Sequence, residues 1–154
     1  MIAILGDLQR TSWLERAIGR EQNDAPRARL VRALADEPLE RLVLLGDLLP
    51  RRLLDGVLAP FRARAIPIEV VLGNHDGRGD PERFPSLAQA PWGVRRHGEI
   101  GLVLLDSNQR RLGRSAWAEQ STWLEENLAG LDADAGVAAV LVFCHHPPFT
   151  TSRG

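Results

Sequence analysis

Val70-Val71-Leu72-Gly73-Asn74-His75-Asp76 joins a short apolar run to three polar residues through one glycine. The run is β-branched and without alternation, which predicts a strand covered on both faces. Gly73 permits a sharp turn where the strand ends. In an open α/β sheet the carboxyl ends of the strands border the ligand crevice, so Asn74, His75 and Asp76 stand where chemistry is expected. The plain alternative is a Gly-Asn turn with a surface histidine, and alone this stretch does not exclude it.

The rest of the chain is therefore read for strands that end the same way. Residues 2–5 predict a first strand, followed by Gly6-Asp7-Leu8-Gln9. Residues 42–45 predict a second, followed by Gly46-Asp47. A hairpin is expected from 94–97 and 100–105 around Gly98-Glu99, its second strand ending in Asp106-Ser107-Asn108. Residues 137–143, the most apolar run, end in Cys144-His145-His146-Pro147-Pro148. Five strand ends thus deliver carboxylate, amide or imidazole groups in one direction, which chance explains poorly.

Helices fill the intervals. Ser12 can cap one through Ile18. Asp24 caps a second, with Pro26 just inside, an apolar stripe of Leu30, Val31, Leu34 and Ala35, and Pro38 beyond its end. A third, over 52–65, would bury Leu53, Leu54, Val57, Leu58 and Phe61, with Pro60 kinking or splitting it. Ser115 caps a fourth in which Trp117, Gln120, Trp123, Leu124 and Leu128 share broadly one side, a packing face rather than a stacking platform. The β-α-β-α-β order predicts parallel pairing. Residues 77–91, rich in Gly and Pro, predict a long loop of the kind that carries specificity.

Composition limits the function. The chain has 154 residues, 44% hydrophobic and 25% charged, with a net charge of -1. That is an ordinary single domain of residues 1–154, with no nucleic-acid patch and no membrane span. Arg51-Arg52, Arg95-Arg96 and Arg110-Arg111 are local pairs, solvated unless one borders the site and holds an anionic substrate. Cys144 is the sole cysteine, which fits a reducing compartment and a packing role. With no signal peptide visible, the cytoplasm is the expected location.

The donors at the five strand ends suit Mg²⁺, Mn²⁺, Fe²⁺ or Zn²⁺. Two aspartates beside amide and histidine ligands are what a pair of cations about 3.5–4 Å apart requires.

In the order Gly6-Asp7-x-Gln9, Gly46-Asp47, Gly73-Asn74-His75-Asp76, His145-His146-Pro147-Pro148, the chain resembles the calcineurin-like metallophosphoesterases over nearly its whole length. The resemblance implies an α/β fold, a β-sandwich flanked by helices, with two divalent metal ions at one edge. It implies that Asp7 binds the first metal, that Asp47 bridges the two, and that Asn74 and His145 bind the second. His75 is similar to the family's catalytic histidine near the leaving group, with Asp76 beside it. The implied reaction is hydrolysis of a phosphomonoester, phosphodiester or pyrophosphate by metal-activated water, with a small phosphate ester as partner.

Two departures stand out. Gln9 occupies the place where the family usually carries histidine; its carbonyl is a neutral metal ligand, and a loop-capping amide is the alternative. The family's Gly-His-x-His element does not occur before Gly154. The chain thus resembles the amino-terminal part, or a shortened form, of such an enzyme, its β-sandwich incomplete at the C-terminus. The run at 137–143 then offers an apolar sheet edge for self-association. Because the donors are mostly oxygen, Mn²⁺ or Mg²⁺ is expected to serve better than Zn²⁺ or Fe²⁺. His146 reads as a packed or supporting histidine, and Asp106 and Asn108 as residues that shape the pocket or merely begin a turn. Arg10 reads as solvated unless it meets a substrate phosphate. The rival function is a binding or scaffold module with little hydrolysis.

Overall fold

The computed structural model describes residues 1–6, 8, 24–48, 51–76 and 92–147, and within these the apolar runs become strands and the amphipathic intervals helices. Asp7, Gln9, Arg10, the helix expected at 12–18 and the loop at 77–91 lie outside the described residues. The elements are β1 (Ile2–Leu5), α1 (Asp24–Asp36), β2 (Arg41–Leu45), α2 (Arg51–Ala63), β3 (Ile68–Val71), β4 (Gly93–His97), β5 (Ile100–Leu104), α3 (Gln109–Ala133) and β6 (Ala139–Phe143). They form a mixed α/β structure with two three-stranded sheets, ordered β1-β2-β3 and β4-β5-β6. The chain divides into two compact units, Met1–Glu69 and Val70–Gly154.

In the first unit β1 and β2 run parallel, with Ile4 opposite Val43. Leu42, Val43 and Leu44 are fully buried, so β2 is the covered strand that its unbroken apolar run predicts. Each such side chain contributes about 1.5–3 kcal/mol relative to exposure. Leu54, Leu58 and Phe61 of α2 are buried with them, at the i, i+4, i+7 spacing of one helix face. Leu53 and Leu30 are 45% and 47% exposed, contrary to expectation. Leu53 lies one residue off the buried face of α2, and Leu30 one residue before the buried Val31 of α1. Pro60 neither splits α2 nor ends it, and the helix is continuous for 13 residues. It closes on a Schellman turn in which the Ile66 and Ala65 amides donate to the Phe61 and Arg62 carbonyls at 3.1 and 2.9 Å. Arg64 then reaches back to the carbonyls of Ala35 and Glu37, tying the end of α2 to the end of α1. A buried ion pair joins Arg41 of β2 to Glu69 of β3.

In the second unit β4 and β5 form the expected antiparallel hairpin, with His97 opposite Ile100. Gly98 has φ 59° at the first position of the two-residue turn, where a II′ turn calls for glycine. β6 returns parallel to β5 after α3, which makes a β-α-β unit. Helical structure begins at Gln109, before the expected Ser115, but Gly113 interrupts it with φ 75° and ψ 172°. That conformation is essentially restricted to glycine. Residues 109–112 are thus a separate turn, and the body of the helix starts directly after Gly113, so the expected cap at Ser115 falls inside it. Trp117 and Trp123 are half-buried on the helix face that also carries the buried Gln120 and Leu131. β6 is shorter than the 137–143 run and stands at the end of its sheet order, with Leu141 and Val142 40% and 49% exposed.

Candidate functional site

Gly46 and Asp47 follow β2 with φ 80° and 49°. Positive φ is uncommon outside glycine and is best tolerated by Asn and Asp. Asp47 is also only 4% exposed. A buried carboxylate on a left-handed backbone at a strand end is the kind of local strain that clusters at functional sites. This is where the first unit holds a predicted ligand.

The second unit brings three of the five strand ends together. After β3 the chain turns at 73–76, and Asp76 Oδ2 accepts the Gly73 N–H at 2.8 Å. The Asp76 carboxylate thereby fixes the turn on which Asn74 and His75 stand exposed. Across from it, His145 Nε2 lies 3.1 Å from Asn74 Oδ1 and donates to that carbonyl oxygen. Seventy-one positions separate the two residues, and the pairing is the one the resemblance implies for the second metal.

The pair fits a cation. Ligands with bonds of about 2.0–2.2 Å set at a right angle on one ion stand about 3 Å apart. The Asn74 oxygen and His145 nitrogen already have that separation, and for both to bind one ion the ring proton of His145 would move to Nδ1 and free Nε2. A neutral oxygen and an imidazole nitrogen are also a sound donor set for a borderline divalent ion. Among the described residues no three His, Cys, Asp or Glu side chains gather into a metal cage.

The third strand end locks to the one that carries His145. Ser107 Oγ accepts the His146 backbone N–H at 2.9 Å and lies 2.9 Å from His146 Nδ1. With the hydroxyl proton turned to Nδ1, the ring proton of His146 is on Nε2. The rings of His145 and His146 meet edge to face, with centroids 4.8 Å apart. Cys144 Sγ donates to the His146 carbonyl at 3.1 Å, and burial raises its pKa, which keeps the thiol protonated and in a packing role.

Asp106 and Asn108 both shape the site, by different means. Asp106 is 1% exposed, and its Oδ1 accepts the Asn108 N–H at 2.9 Å, an Asx turn. Gln120 of α3 clamps the same residue: its Oε1 accepts the Asp106 N–H at 2.8 Å and its Nε2 donates to the Asp106 carbonyl at 3.0 Å. An open cleft of about 560 Å³ results, lined by Asn74, Ser107, Asn108, Gln109, Arg110 and His146.

Ser107, Gln120 and Arg110 are contributions that reading the residues did not single out for these roles. A carboxamide inside an otherwise apolar helix stripe was the available signal for Gln120, since a buried amide needs partners. Ser107 carried no signal beyond standing at a strand end. Arg110 was one of several arginine pairs until the fold brought it to the cleft.

A family model described as calcineurin-like phosphoesterase matches residues 1–154. No curated protein matches the chain.

Proposed function

The chain belongs to the calcineurin-like phosphoesterases, and we propose that it is a divalent-metal-dependent hydrolase of a phosphomonoester, phosphodiester or pyrophosphate. The family works generally with divalent metals on phosphoesters. What supports the reading for this chain is the Asn74–His145 pair, two ligand-type atoms 3.1 Å apart from opposite ends of the second unit's sequence. We read residues 1–154 as one domain, because a single family match spans both compact units.

In this reading Asp7, Gln9, Asp47, Asn74 and His145 would be the residues that hold the two metals. When bound, the two ions, Mn²⁺ or Mg²⁺ by preference, polarise the phosphoryl oxygens and lower the pKa of water. The chain's own residues do the rest. Asn74 and His145 orient the reacting group by fixing one end of the site. His75, exposed beside Asn74, donates its ring N–H to the departing oxygen, a role worth about 10²–10⁴-fold in rate. Asp76 holds His75 in place through the turn it caps. Ser107 holds His146, and through the 145–146 backbone it steadies His145. The single cysteine makes the cytoplasm the proposed location.

The test is hydrolysis of p-nitrophenyl phosphate and bis-p-nitrophenyl phosphate by the purified chain with added Mn²⁺. Metal-dependent turnover is expected, abolished by Asp47→Ala and lowered by about 10²–10⁴-fold in His75→Ala. Neither metal uptake nor turnover of either ester would instead favour the binding or scaffold module, and a clear preference for Zn²⁺ would contradict the oxygen-rich ligand set.

A further inference from the structure

The cleft beside Asn74 has a charge pattern that the metal reading does not use. Of its six lining residues, four are uncharged donors or acceptors, Asn74, Ser107, Asn108 and Gln109, and a fifth is the imidazole of His146. Arg110 is the remaining one and carries a full positive charge. No carboxylate lines the cleft among the described residues. The nearest in sequence, Asp106, is buried and caps the Asn108 amide. A volume of about 560 Å³ lies in the range that small organic ligands occupy, about 300–1,000 Å³, and exceeds what one phosphate group fills.

The backbone beneath Arg110 is set rather than loose. Gln109 N–H donates to the Ser107 carbonyl at 3.2 Å and Leu112 N–H to the Asn108 carbonyl at 3.0 Å. Gly113 then redirects the chain. Arg110 is exposed and lines the cleft. A guanidinium binds phosphate or carboxylate through two parallel N–H···O bonds, and a carboxamide or ring N–H can complete the ring of donors.

We propose that Arg110 is a specificity residue that binds a second anionic group of the substrate, so that the preferred substrate is a phosphoester carrying a further phosphate or carboxylate. The cleft begins at Asn74, one of the proposed metal ligands. A substrate with its reacting phosphate there extends its remaining part along Ser107 and Asn108 to Arg110. The inference rests on the hydrolase reading for the reacting end, while the anion preference is measurable without turnover.

The experiment is calorimetric titration of the full chain, saturated with Mn²⁺, with three ligands that cannot be hydrolysed: propylphosphonate, propane-1,3-bisphosphonate and 3-phosphonopropionate. The heat of each ligand with Mn²⁺ alone is subtracted. At least one doubly anionic ligand is expected to bind about tenfold or more tighter than propylphosphonate, as a charge-assisted pair should. The tighter of the two identifies the second group as phosphate-like or carboxylate. Arg110→Gln should bring the preference close to one, and Arg110→Lys should restore part of it, since a lysine keeps the charge and loses the fork. Equal affinity for all three ligands, or a preference that survives in Arg110→Gln, overturns the proposal. Hydrolysis without this preference rejects the anion site and leaves the hydrolase standing. The preference without any hydrolysis retains the anion site and rejects the hydrolase.

Discussion

Asp47 and Ala65 share a left-handed backbone for different reasons. Ala65 ends α2 at the position of a Schellman turn that glycine normally takes, and its side chain is exposed. Ala65→Gly is therefore expected to stabilise the chain by about 1 kcal/mol, read as a higher urea midpoint at unchanged slope. Asp47 has φ 49° and is buried, and the side chain that strains the backbone is the one the metal reading needs. Asp47→Asn keeps a residue that tolerates this conformation and removes the charge. It should retain the far-ultraviolet spectrum of the parent and lose Mn²⁺ affinity by more than the about 10–100-fold typical of a partner standing behind the ligands. Unchanged affinity would deny Asp47 its bridging role. At this scale the sequence was informative wherever the residue type itself carries the chemistry. Asn74 and His145 were legible as donors at strand ends, and they lie within bonding distance. Ser107 was not legible, because a serine in a turn is ordinary and only the fold shows that it holds His146.

At the scale of elements, α3 does two things at once. Its apolar stripe packs, and Gln120 within that stripe holds the end of β5 by both polar groups of Asp106. Gln120→Leu fills similar space and leaves the Asp106 N–H and carbonyl buried without that partner, at a cost of about 1–3 kcal/mol for each group. The variant should lower the urea midpoint and, by loosening 106–108, weaken the ligands that occupy the cleft. A midpoint equal to the parent's would mean that Gln120 only fills space. Strand order, the hairpin and the helix of 51–63 were legible because period and turn chemistry agree there. The start of α3 was legible in part. The apolar stripe from Trp117 onward was visible, whereas the true start, after the turn at 109–112, depends on a Gly113 conformation that no periodicity reports. The exposure of Leu141 and Val142 also follows from where β6 stands in its sheet, which composition alone would have reversed.

For the whole molecule, the family match covers residues 1–154, and under the proposed function a metal that binds only the folded chain would contribute to folding as well as to chemistry. Mn²⁺ at about 100 times its Kd should add about 2.7 kcal/mol of stability, seen as a urea midpoint that falls on chelation. Donor-type residues were readable at the strand ends, and the cleft was not, because it is assembled from turns with no individual signature. The central claim is that this chain holds two divalent ions close together. Electron paramagnetic resonance of the Mn²⁺-loaded protein, with metal content measured on the same sample, tests it most directly. Two Mn²⁺ per chain are expected, with the exchange-coupled spectrum of ions about 3.5–4 Å apart, and loss of that coupling in His145→Ala. A spectrum of isolated Mn²⁺, indifferent to His145, would contradict it.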